Sequence, residues 1–211
     1  KYYLSENLIR TVVEVKDSPA FLGNRIGFQF INEALQYAEK YKYSGGIDYI
    51  DAILGPFTGR SMAPLTTSDF VGLDVHEAVV SNIYNNTNDY AHETFVFPDF
   101  AWKLVNEGKL GRKTNGGLYK MELYDKGIKR LTVYDITTGT YRDRMEYNFL
   151  FKKNMIYDLR IGDYESAFKT LIENRSAEAE ICLEFLIKYV IYSLVATDAV
   201  GYDIHSADDV M

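Results

Sequence analysis

Apolar residues recur along this chain at two spacings, one helical and one alternating, and the switches between them mark its elements. Over residues 20–42 the spacing is helical: Phe28, Ile31, Leu35 and Ala38 fall on one side, and Arg25, Gln29, Asn32, Glu33, Gln36, Glu39 and Lys40 make a polar stripe on the other. Asp17-Ser18-Pro19 supplies a capping residue followed by proline at the first helical position, and Gly45-Gly46 supplies the stop. Asn24 lies four residues before Phe28 and seven before Ile31, so a polar amide opens the apolar side. A short helix over 48–54 follows, then a turn-rich segment over 55–64, a helix opening at Ser68-Asp69, another over 74–84 behind the breaker Gly72, and another over 98–107 stopped by Gly108. Residues 118–124 and 128–134 alternate and are joined by Asp125-Lys126-Gly127, which predicts a β-hairpin. The helical pattern returns from Arg142, with Asp163 as the cap of a helix over 164–174. A buried core helix is predicted over 176–197, its thin polar stripe, Glu184 and Lys188, marking the side that faces water.

Ahead of all this, residues 11–16 alternate β-branched and charged side chains, a lone strand whose neighbours are expected upstream. Residues 46–54 have a faint analogue in 201–211, each following a long amphipathic helix, as in two helical units of one kind. The predicted fold class is mainly α: a helical bundle with one β-hairpin and a second, truncated helical repeat.

Composition narrows the function classes. Hydrophobic residues make up 47% and charged residues 25% of the 211, as in a folded globular chain. With 23 basic against 30 acidic residues the net charge is −7, which disfavours a nucleic-acid partner. Cys182 is the single cysteine, and no basic start leads into an apolar run and a cleavage site, so the expected compartment is a reducing cytoplasm. The most apolar stretch, 181–196, is interrupted by Glu184 and Lys188 and is shorter than the ~20 residues a membrane span needs. The chain begins at Lys1 and runs to Met211 without a helix stop signal, and both ends are expected to be cuts in a longer protein.

Candidate chemistry is sparse. No G-x-G-x-x-G fingerprint is present. Residues 55–61 are one residue short of a phosphate loop and carry Arg60 where lysine is needed. Gly59-Arg60-Ser61-Met62-Ala63 has the outline of a nucleophile elbow, but no strand leads into it, and a plain turn is the expectation. His76, His92 and His205 stand far apart, outside any zinc-ligand spacing, and read as surface or capping residues with no metal. Lys109, Arg112 and Lys113 could touch an anion, although a solvated connector is the default for such a run. Asn24 is the odd residue: a buried amide needs partners, and from the pattern alone a hydrogen bond to a neighbouring loop is the plainer reading.

A longer ordered match changes that weighting. The segment Val15-Lys16-Asp17-Ser18-Pro19-Ala20-Phe21-Leu22-Gly23-Asn24-Arg25 resembles the junction signature V-K-D-x-P-G-F-x-x-N-R of 3-hydroxyacyl-CoA dehydrogenases. Met62-Ala63-Pro64, Asp69-Phe70-Val71-Gly72-Leu73-Asp74 and Gly111-Arg112-Lys113-Thr114-Asn115-Gly116-Gly117-Leu118-Tyr119 resemble that family's M-G-P, D-x-V-G-L-D and G-R-K-x-G-x-G-F-Y. The resemblance is dense over residues 12–120 and loose afterwards, where the hairpin and second helical unit resemble the multifunctional fatty-acid β-oxidation branch. Ala20 and Ala63 depart from it, each standing where glycine is usual.

The resemblance implies oxidation of an (S)-3-hydroxyacyl-CoA to the 3-oxoacyl-CoA, with NAD bound by an N-terminal domain that these residues lack. The catalytic histidine and glutamate are also expected on that upstream domain, so the fragment alone is expected to be inactive and to bind no cofactor. Asn24 matches the family's active-site asparagine, which implies a substrate-positioning role. The implied division is 1–16 as the last strand of the nucleotide domain, 17–120 as the first C-terminal helical domain, 121–141 as a hairpin connector and 142–211 as the truncated second repeat. Implied partners are the acyl-CoA and either a second copy or the tandem unit. Two further readings stay open: a non-catalytic helical association module, and the C-terminal part of a dehydrogenase for another hydroxy acid.

Overall fold

The computed structural model describes residues 2–55, 58, 60–114, 116–124 and 128–211. The hairpin turn predicted at Asp125-Lys126-Gly127 and parts of the 55–61 segment, Pro56, Phe57 and Gly59, lie outside the described residues. The helices are α1 (Gly23–Lys40), α2 (Ile47–Leu54), α3 (Pro64–Val71), α4 (Leu73–Asn86), α5 (Asp99–Asn106), α6 (Leu150–Arg160), α7 (Tyr164–Glu173), α8 (Ala177–Val200) and α9 (Ser206–Val210). Between α5 and α6 runs an antiparallel sheet of β1 (Tyr119–Leu123), β2 (Lys129–Asp135) and β3 (Thr140–Asp143), in that order. The fold is mainly helical, as the periodicity predicts, but the hairpin has gained a third strand. Arg142 therefore sits in β3, not at the start of a helix. Its guanidinium grips the buried Asp48 of α2 through two hydrogen bonds of 2.9 and 2.7 Å, a reason for the chain to stay extended there.

Helix α1 is the axis of the molecule and packs against α2, α3, α4 and α8. The first half of its predicted polar stripe does not face water, since Arg25, Gln29, Asn32 and Glu33 are all buried, whereas Lys40 at the far end is exposed. Most of their polar groups find partners in the protein, although Asn32 Oδ1 accepts, and Arg25 Nε donates, no hydrogen bond among the described residues. Asn32 Nδ2 donates to the carbonyls of Thr94 and Val96 at 2.7 and 2.9 Å, and Gln36 Nε2 donates to those of Glu93 and Val96. Gln29 donates to Glu33, whose other oxygen accepts from Lys188 of α8 at 2.7 Å. Helical spacing cannot distinguish a solvated stripe from one that receives a loop and a second helix.

On α8 the predicted pair Glu184 and Lys188 does reach water, with side chains 45% and 42% exposed, and it also reaches α1, where Tyr37 donates to Glu184 and Lys188 pairs with Glu33. The outward side carries Ile187, Val190, Ile191 and Leu194, each 44–57% exposed. Helix α8 is thus only half a core helix. Asp163 and Ser176 do cap α7 and α8, accepting from Ser166 N and Ala179 N.

Helix α2 is buried along its whole length, so its two aspartates must find donors. Asp51 accepts from Leu65 N, Thr66 N, Thr66 Oγ1 and Tyr119 Oη at 2.7–2.9 Å, which caps α3. Consequently α3 begins at Pro64, one turn before the predicted Ser68-Asp69. The expected N-terminal strand is reduced to one bridge pair, Val15 with Gly201. Beside it Lys16 N donates to Val200 O at 2.7 Å, and Lys16 Nζ donates to Ala199 O at 3.0 Å.

Candidate functional site

Asn24 stands in the first turn of α1, exposed, with no hydrogen bond to another described residue. The chain reaches it through Ala20 and Phe21, both in left-handed backbone (φ 63° and 51°), and α1 starts immediately after them. The turn is held from behind. Arg25 Nε lies 3.3 Å from Asp89 Oδ2 with both side chains buried, an ion pair without hydrogen-bond geometry, and Tyr192 Oη donates to the same carboxylate at 2.9 Å. A Cβ added at Gly23 would just meet Val210 of α9 at van der Waals distance, so α9 lies close behind the turn. Asn24 is therefore fixed in place while its amide is left open. A shallow hollow lined by Ala20, Val75, Ala78 and Val79 lies beside the approach, and Phe21 and Val75 are 57% and 44% exposed. The alternative that Asn24 bonds a neighbouring loop finds no contact here.

The other motifs come together as a lock. Asp69 Oδ1 accepts from Leu118 N at 2.7 Å and Tyr119 N at 3.3 Å, while Asp74 pairs with Lys113. Leu73 N donates to Leu110 O at 3.0 Å. The two aspartates of Asp69-Phe70-Val71-Gly72-Leu73-Asp74 thus hold the glycine-rich connector. A Cβ at Gly111 would strike the Asp69 backbone, and one at Gly117 would strike its carboxylate. Burial raises the Asp69 carboxyl to about 6, and burial also raises Asp51 against the pull of its four donors. Of the basic run, Lys109 pairs with Glu107, Lys113 with Asp74, and Arg112 lies 5.7 Å from the Phe70 ring.

The histidines separate. His205 is exposed, His92 stacks on Tyr84 with centroids 4.1 Å apart, and His76 is fully buried, neither the surface nor the capping residue its spacing suggested. His76 Nδ1 lies 2.7 Å from Ser68 Oγ, its Nε2 has no partner, and burial depresses its pKa to about 3. The pair is walled in by Phe28 and Phe97. Ser68 and His76 are eight residues apart across the Gly72 corner, and helical periodicity gives no sign that they meet.

Among the described residues no group of three or more His, Cys, Asp or Glu could hold a metal ion. Among the described residues no helix is long and apolar enough to cross a membrane. The sheet is antiparallel, and among the described residues none of its strands feeds a helix through a glycine-rich turn.

Residues 21–121 match the model of the family described as 3-hydroxyacyl-CoA dehydrogenase, C-terminal domain. A probable 3-hydroxyacyl-CoA dehydrogenase of Bacillus subtilis (strain 168) is 29% identical over 208 residues, 98% of this chain and 25% of the relative. A 3-hydroxybutyryl-CoA dehydrogenase of Clostridioides difficile is 33% identical over 121 residues, covering 56% and 40%. The fatty acid oxidation complex subunit alpha of Vibrio campbellii is 32% identical over 139 residues, covering 66% and 18%. The chain spans two-fifths or less of the length of each of these relatives.

Proposed function

We propose that this chain, whose residues 21–121 match the family described as 3-hydroxyacyl-CoA dehydrogenase, C-terminal domain, forms the substrate-side wall of an NAD-dependent (S)-3-hydroxyacyl-CoA dehydrogenase of fatty-acid oxidation in the cytoplasm. The coenzyme and the proton-accepting pair belong, on this reading, to polypeptide outside these residues. Asn24 carries the proposal: its amide is exposed, with no hydrogen-bond partner among the described residues, on a turn that Arg25, Asp89 and Tyr192 brace from behind. An amide held there both donates and accepts, so it can follow the substrate's 3-oxygen as that atom changes from hydroxyl to carbonyl. It positions and does not transfer a proton.

The test is a chimera in which this chain replaces the matching quarter of the Bacillus subtilis relative. An Asn24→Ala change there is expected to lower kcat for acetoacetyl-CoA reduction by about 100-fold, the scale of a misplaced substrate group, with an unchanged melting temperature. Normal turnover with lowered stability would sink the positioning role. The chain alone, mixed with NADH and acetoacetyl-CoA, is expected to show no turnover. A helical association role has one observation in its favour, the uncovered side of α8 formed by Ile187, Val190, Ile191 and Leu194. It is compatible with the first reading, in which that side meets a second copy or a tandem unit.

A further inference from the structure

The sheet has an unpaired edge beside a cavity. In the described residues β1 pairs with β2 alone, in the register Tyr119↔Val133, Met121↔Leu131, Leu123↔Lys129. Two bonds fix which residues face β2: Tyr134 N donates to Leu118 O at 2.9 Å and Tyr124 N to Ile128 O at 2.8 Å. Hydrogen-bonded pairs alternate along an antiparallel ladder, so 118, 120, 122 and 124 turn their N–H and C=O groups to β2, and Tyr119, Met121 and Leu123 turn theirs outward. Tyr119 N agrees, since it donates outward to Asp69 Oδ1. The Asp69 carboxylate occupies the first position of the missing neighbour. Beyond it, the backbone groups of Met121 and Leu123 have no partner among the described residues.

Next to this edge α3 and the sheet enclose a cavity of about 280 Å³ lined chiefly by Met62, Thr66, Phe70, Tyr119, Met121 and Leu131. Met121 is 47% exposed and Leu131 38% exposed, so the walls are apolar and uncovered. A second hollow continues along residues 120–124. Arg112 also lines the cavity, and among the described residues its guanidinium has no carboxylate partner.

We propose that the open edge of β1 and this cavity form a docking groove for an extended peptide of a partner protein. The peptide adds as a strand to Met121 and Leu123, seats one large apolar side chain in the cavity, and brings a carboxylate to Arg112. Backbone groups at 119–123 supply affinity, and cavity and guanidinium supply selection. A second copy of β1 fits less well: its one carboxylate, Glu122, is already held by Lys120 at 2.9 Å, so it brings Arg112 no free anion. The inference is independent of Asn24 and of dehydrogenase chemistry.

The experiment titrates the 211-residue chain with labelled, end-blocked hexapeptides in which one apolar and one acidic position are varied, read by fluorescence anisotropy and by amide hydrogen exchange. Saturable binding below about 1 mM is expected, with new protection at Met121 and Leu123 and loss of binding when the peptide's ladder amides are N-methylated. Met121→Pro removes an outward N–H and leaves the β2 ladder intact, so it is expected to weaken binding by about tenfold or more with an unchanged circular dichroism spectrum. Phe70→Ala tests the cavity independently should the proline variant fail to fold, and Arg112→Glu is expected to switch preference from acidic to basic peptides. No binding across the panel would overturn the proposal, as would equal binding of N-methylated peptides. So would a self-association in sedimentation that Met121→Pro abolishes, which would give the edge to a second copy.

Discussion

Ala20 is one of three non-glycine residues, with Ile9 and Phe21, that hold left-handed backbone among the described residues. Its φ is 63°, with Phe21 following at 51°, and an L-residue in this region loses roughly 1 kcal/mol relative to glycine. The family pattern that this segment resembles has glycine there. Ala20→Gly is expected to raise stability by up to about 1 kcal/mol, reduced by the greater freedom glycine brings to the unfolded chain, and a shift of the urea midpoint measures it. Ala63, the other departure, has φ −64° and ψ 151°, an extended conformation open to any residue, so the methyl there is unstrained. Asn24 was legible as an anomaly in the apolar pattern. That its side chain points outward was not, because the two left-handed residues Ala20 and Phe21 ahead of α1 set where the helix begins.

Among the elements, α1 shows most plainly what a sequence pattern withholds. Its existence and length follow from residues 20–42, yet the first half of its polar stripe is interior because α8 and the loop around Val96 arrive from far along the chain. Buried polar groups of this kind raise the cost of losing one partner. Asp89→Ala would leave the Arg25 guanidinium buried without a counter-ion, and a loss of about 3 kcal/mol or more in urea-induced unfolding is expected. A change below about 1 kcal/mol would mean that water reaches Arg25. The hairpin was legible from alternation alone. The third strand was not, since β3 has four residues and is held in part by Arg142 reaching Asp48, a contact 94 residues apart.

For the molecule as a whole, two buried titratable groups act against each other in mild acid. The His76 pKa is depressed from 6.5 to about 3, so the unfolded chain binds the extra proton and stability falls as pH drops below 6.5. The Asp69 pKa is raised from 3.8 to about 6, so its contribution is complete below pH 3.8 and is lost as pH rises through 6. Between pH 4 and 6 the slopes are opposite, each at most about 1.4 kcal/mol per pH unit. Urea midpoints across that range should show Asp69→Asn gaining on the parent chain as pH rises, and His76→Gln gaining as pH falls. Profiles parallel to the parent's would refute both assignments. The sequence motifs around Asp69 and the connector were legible as a resemblance, but their mutual grip across some fifty residues is a property of the assembled fold.

The clasp between Lys16 and the end of α8 makes the entrance to the molecule mechanically continuous with its far helix. Three hydrogen bonds from Lys16, to the carbonyls of Asp198, Ala199 and Val200, and the Val15–Gly201 bridge yoke the approach to α1 to the carboxyl end of α8. A pull on the leading segment is borne first by Val200 and Ala199, not by Ala20, so the strained turn below Asn24 is shielded from load arriving along the backbone.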